Sequence, residues 1–125
     1  METVVVSKLP LSVEVGPFRY KIVLLECGIT HEDGSDCQGL TDHDNQKIIL
    51  DQSLDHEMLV ETFFHEILHA VFSAVGLDFE FGEKKEERYV RSISPILLDT
   101  LRRNPLVAQY LLSQRSPEIE NGFEI

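Results

Sequence analysis

The most informative hydropathy pattern in the chain lies at residues 58–73, MLVETFFHEILHAVFS. Set on a helix at about 100° per residue, Leu59, Val60, Phe63, Phe64, Ile67, Leu68, Ala70 and Val71 occupy most of the circumference. A narrow polar stripe runs along it: Thr62, His65, Glu66, His69 and Ser73. A segment that is apolar nearly all round reads as a buried helix. Asp55 is a good N-cap for it, Glu57 suits its first turn, and Gly76 suits a stop after Val75.

Upstream, the pattern is that of strands. Residues 18–25, FRYKIVLL, are rich in strand formers and predict a first secure strand, and residues 47–50, KIIL, predict a short second one. Residues 39–41 are available to pair with one of these. Residues 3–15, TVVVSKLPLSVEV, alternate only partly and contain Pro10, which predicts an edge strand or an extended lead-in. The polar stretch between the two secure strands carries Gly28, Gly34 and Gly39 and predicts loop for much of its length.

Downstream of the long helix, residues 76–85, GLDFEFGEKK, read as a loop with apolar plugs at Phe79 and Phe81. A second helical pattern runs on from Glu86. Ser94-Pro95 is expected to break and restart it, with Ser94 as cap, and Asn104-Pro105 repeats the device to open a last helix through about Gln114. Residues 117–125 read as a frayed tail. The expectation is an α+β fold in a single domain over 1–125: an N-terminal sheet of two to four strands packed on the long helix, then two or three shorter helices.

Bulk composition narrows the function. With 22 acidic against 11 basic residues and a net charge of −11, the chain lacks the positive surface that phosphate backbones require, so direct nucleic-acid binding is not expected. The charge would favour cationic partners or peptides. No run of about 18 apolar residues marks a membrane span, and the start METVVVSKLP lacks the basic opening and cleavage site of a signal peptide. A cytoplasmic protein is expected. Two cysteines are too few for a disulfide framework.

The chemistry is concentrated in the long helix. An unpaired buried charge costs several kcal/mol or more, so two imidazoles and a carboxylate on an otherwise greasy helix need a compensating partner. His65 and His69 stand one turn apart on one face, where both rings can converge on a single cation with Glu66 beside it, the HExxH arrangement. A catalytic zinc takes three protein ligands and keeps one position open. The third should come from downstream, from Glu83, Glu86 or Glu87. Tyr89, Val90 and Ile93 define the expected buried face of that helix; Glu86 lies one turn before Val90 on it, whereas Glu87 is rotated by about 100°. Glu86 is the expected ligand and Glu87 its competitor. Metal-bound water is acidified, Glu66 takes its proton as general base and returns it to the leaving amine, and strand 47–50 offers an edge along which an extended peptide could align.

Other candidates are weaker. Cys27, His31, Cys37 and His43 lack the close cysteine pair of a zinc finger and read as a polar loop with incidental thiols. His56 reads as a surface residue of the first helical turn. Tyr89 and Tyr110 receive no oxyanion role, and Arg102 and Arg103 fit the C-terminal end of a helix dipole.

The motif at Thr62-Phe63-Phe64-His65-Glu66-Ile67-Leu68-His69-Ala70-Val71 resembles that of the zincin metallopeptidases, whose extended pattern wants uncharged residues flanking the core motif and inside it. With a glutamate as third ligand it resembles the gluzincin type. The whole layout, sheet, HExxH helix and an EE-led helix ending in LRRNP, is similar to small phage- and prophage-encoded metallopeptidase-like proteins loosely related to the ImmA/IrrE group. The resemblance implies one Zn2+ held by His65, His69 and Glu86, Glu66 as base, and a peptide or protein substrate in the cytoplasm, the host cytoplasm for a phage-encoded chain. The alternative is a metal-stabilised regulatory or assembly module without turnover.

Overall fold

Strand-forming residues in short alternating runs build the sheet. The computed structural model describes residues 8–26, 29 and 37–114. Its strands are β1 (Ser12–Val15), β2 (Phe18–Leu25), β3 (Gly39–Asp42) and β4 (Lys47–Asp51), in the order β1-β2-β4-β3. β1 and β2 form an antiparallel hairpin with Val15 opposite Phe18. Gly16 in its turn has φ 57, a left-handed value at which glycine is unstrained. β2 and β4 are parallel, with Lys21 opposite Lys47, and β3 and β4 are antiparallel, with Gly39 opposite Leu50.

This order corrects the expected role of residues 47–50. Both edges of β4 are used in pairing, so it has none to offer a peptide, and β3 is the outer strand on that side of the sheet. The edge position expected of the N-terminal segment is found in its described part, β1.

Helix α1 (His56–Ala74) begins where the sequence places it: the Asp55 carboxylate accepts a hydrogen bond from the Met58 backbone N–H at 2.8 Å. The sheet supplies Val15, Tyr20, Ile48 and Leu50 to a buried core, α1 adds Ala70, and Leu59, Phe63, Ile67 and Ala74 pack against it. Contrary to expectation, α1 is not buried all round. Its buried positions are Thr62, Glu66 and Ala70, two of them on the polar stripe, while Val71 on the apolar side is exposed.

Gly39 explains why the polar stripe can turn inward. A Cβ at this position would stand 2.7 Å from Thr62 Cγ2 and 3.1 Å from Glu66 Cγ, so only a glycine lets the β3 backbone lie this close to α1. Gly39→Ala is expected to destabilise the fold by about 1–3 kcal/mol, the usual cost of overpacking, read as a lower urea midpoint with an unchanged slope.

Helix α2 (Leu77–Arg103) differs from expectation twice. Residues 77–81 are helical, not loop, with Asp78 and Glu80 favouring the first turn, and Gly82 (φ 76, ψ 166) marks the kink where two helical pieces meet. Phe81 packs on Phe72 and Tyr89 with ring centroids 5.7 and 5.0 Å apart, but Phe79 is 95% exposed and plugs nothing. The helix also runs through Pro95. Ser94 cannot act as a cap there, because it lies on the buried stripe Glu86, Val90, Ser94, whose i, i+4, i+8 spacing keeps one continuous face inward. That stripe replaces the expected face, since Tyr89 and Ile93 are exposed. Helix α3 (Pro105–Leu111) opens with Pro105 in its first turn, as expected.

The architecture is α+β, an N-terminal four-stranded sheet followed by three helices. Two compact units divide the chain: Met1–Pro95 holds the sheet, α1 and α2 up to Pro95, and Ile96–Ile125 holds the end of α2 and α3. No helix among the described residues is long and apolar enough to cross a membrane. Residues 3–7 of the lead-in, Cys27, His31 and the tail 117–125 lie outside the described residues.

Candidate metal centre

Helical spacing brings the two histidines together. His65 and His69 occupy successive turns of α1 with ring centroids 5.0 Å apart. The facing element is α2, which presents two consecutive carboxylates. Glu87 Oε1 lies 2.8 Å from His69 Nε2 and 3.3 Å from His65 Nε2. Glu86 Oε2 lies 2.5 Å from the other nitrogen of His69, Nδ1.

Consecutive helical residues diverge by about 100°, which lets Glu86 reach one nitrogen of the His69 ring and Glu87 the other. Among the described residues, the one group whose donor atoms all lie within 4.8 Å of one another is His65, His69 and Glu87. Glu86, the expected third ligand, is not in it. It sits on the buried face, as its alignment with Val90 predicts, and there it meets Nδ1 and not the two Nε2 atoms. The point of convergence lies at the margin of that face, where Glu87 is only partly buried.

The electrostatics follow from this packing. Burial alone would push the His69 pKa down, but the carboxylates of Glu87 and Glu86 outweigh it and raise the pKa to about 9. The protonated ring donates from both nitrogens, one to each glutamate. Hydrogen bonds from His65 and then His69 hold the Glu87 carboxyl well below the usual carboxylate range. Arg91, one turn along α2, donates to Glu87 Oε2 at 2.8 Å, so the two oxygens of Glu87 have different partners.

Glu66 stands beside this group, not in it. Its side chain is buried at 6% exposure, and burial raises its pKa against the opposing effects of a Thr41 hydrogen bond and the His69 and His65 charges. The Thr41 hydroxyl, on β3, donates to Glu66 Oε1 at 2.7 Å and also lies 3.0 Å from the Glu66 backbone oxygen.

The donor set is one that could hold a metal ion, its three atoms lying within 4.8 Å of one another, and two imidazole nitrogens with a carboxylate oxygen are donors that zinc accepts. Glu86 on His69 Nδ1 is the carboxylate partner that commonly fixes the tautomer and angle of a ligating histidine. Because His69 is protonated below about pH 9 when no metal is bound, zinc binding at neutral pH should expel that proton. Zinc affinity is then expected to rise with pH up to about 9, by roughly tenfold per unit for one proton released. A pH-indicator dye in weakly buffered, chelator-treated protein measures the release directly.

The remaining candidates stay apart from this centre. The Cys37 thiol donates to the Ile29 carbonyl at 3.6 Å, and His43 Nδ1 lies 3.1 Å from the Tyr20 hydroxyl, so these two share no donor group. Tyr89 stacks on Phe81, Tyr110 is exposed, His56 is an exposed first-turn residue, and Arg102 and Arg103 lie in the last turn of α2. Thr41, Gly39 and Arg91 belong to the site without being expected there from sequence. The period-2 placement of Gly39 and Thr41 on one face of a strand is the available signal for the first two, but it acquires meaning only once β3 is known to lie on α1. No family model, no curated protein and no solved structure matches the chain.

Proposed function

We propose that this protein is a zinc-dependent peptidase in which His65, His69 and Glu87 hold the metal and Glu66 is the general base. The observation that carries the proposal is the convergence of two histidines and a carboxylate with a second, buried carboxylate adjacent on the same helix. The HExxH motif and its resemblance to the gluzincin metallopeptidases support the same reading. Zinc, when bound, supplies Lewis acidity that acidifies water and polarises a carbonyl.

The chain's own residues do the rest. Glu66, its pKa raised by burial, takes a proton from the attacking water and delivers it to the departing amine. Glu86 holds the His69 ring in register, and Arg91 occupies Glu87 Oε2 and leaves Oε1 facing the histidines. β3 is the outer strand beside Glu66, so an extended peptide added along it would pass the base. The net charge of −11 favours a neutral or basic peptide over nucleic acid.

The test is elemental analysis of protein purified without added metal, coupled to mass-spectrometric profiling of a peptide library. One zinc per chain and cleavage that is lost on chelation and restored by zinc are expected. A second reading, a metal-stabilised module without turnover, is favoured by the near-complete burial of Glu66 and would be established by stoichiometric zinc with no cleavage of any peptide.

A further inference from the structure

We propose that Thr41 is the positioning residue for Glu66, fixing its carboxylate in one orientation from the outer strand of the sheet. The inference rests on the peptidase reading but is carried by separate observations. Gly39 and Thr41 are two residues apart on β3 and face the same stripe of α1. Gly39 makes the close approach possible, since any side chain there would collide with Thr62 and Glu66. Thr41 then reaches Glu66 twice, at the side-chain Oε1 and at the backbone oxygen.

A hydroxyl has one proton to give. At 2.7 Å the shorter contact is to the carboxylate, and that bond ties Oε1 to β3. The other oxygen, Oε2, lies along Gly39, where a Cβ would stand 3.2 Å from it. Glycine at 39 leaves room for Oε2 against the strand, and Thr41 keeps the carboxylate from rotating to exchange its two oxygens. The carboxylate of the proposed base is therefore held in one orientation. Neither hydrogen bond of Thr41 goes to a metal donor, so zinc stoichiometry and turnover read its effect separately.

The experiment compares Thr41→Val, which removes the hydroxyl at nearly constant volume, with Thr41→Ser, which keeps it. Zinc stoichiometry should stay at that of the unaltered protein in both. In Thr41→Val, kcat should fall by about 100-fold, the scale of a misplaced catalytic group, with KM changed by less than about threefold, an interaction lost in the transition state and not in binding. Thr41→Ser should restore most of kcat. A second readout needs no turnover: with Co2+ in the site, titration of the visible band with acetohydroxamate, which hydrogen-bonds a neighbouring carboxylate, should show about tenfold weaker binding in Thr41→Val, the value of one hydrogen bond. If Thr41→Val does not fold, Thr41→Ala against Thr41→Ser makes the same comparison. Unchanged kcat and hydroxamate affinity in the valine variant, or a serine variant as impaired as the valine one, would overturn the role of Thr41. A zinc-loaded unaltered protein that cleaves nothing would sink the peptidase reading instead, and the hydroxamate titration would still decide on Thr41.

Discussion

Glu66→Gln is expected to reduce peptide hydrolysis by about 1,000-fold or more, within the range a positioned general base contributes, while the protein keeps its zinc. Glutamine preserves the shape of the side chain and an oxygen to accept the Thr41 hydroxyl, but it cannot take a proton from water. Metal content should not change, because Glu66 lies outside the converging donor group. The fold should not suffer either. Burial is the largest influence on this carboxyl and raises its pKa, so its charged form is net disfavoured where it stands, and a neutral isostere relieves that cost. The expected signature is lost turnover, unchanged zinc and an unfolding midpoint at least as high as before. Full activity in the variant would remove Glu66 from the chemistry.

The second large effect separates the two adjacent glutamates. Glu87→Gln should weaken zinc binding by more than about 100-fold, whereas Glu86→Gln should cost about tenfold, the lower end for a hydrogen-bonded partner of a ligating histidine. The difference comes from where the two carboxylates point. Glu87 Oε1 is shared between the Nε2 atoms of both histidines, and Glu86 reaches only Nδ1 of one. Competition titration with a chromophoric chelator gives both affinities. The opposite ranking would return Glu86 to the coordinating set and place Glu87 in the supporting role.

Much of this site is legible in the amino-acid sequence. Histidines four residues apart on a helix share a face by helix geometry alone, and the cap at Asp55 needs only its neighbour Met58. β2 occupies the whole of the predicted run Phe18–Leu25, because β-branched and aromatic residues favour a pleated strand locally. The departures are of a different kind. Ser94-Pro95 reads locally as a break in the helix, yet α2 runs through Pro95, since the inward stripe of Glu86, Val90 and Ser94 outweighs local propensity. Alignment with Val90 correctly places Glu86 inward, but it does not bring Glu86 onto both histidines, because burial and convergence on the histidines are different directions on the same helix.

What the chain by itself determined, then, is a set of local relations: the paired histidines, the carboxylate between them, and the segments able to form strands. Tertiary structure alone decided which glutamate reaches both histidines, that residues 47–50 lie inside the sheet, and that a glycine and a threonine of β3 enclose Glu66. Such relations depend on the rotation and approach of elements distant in sequence. These are set by packing a shared core, and neither the 3.6-residue nor the 2-residue period contains them.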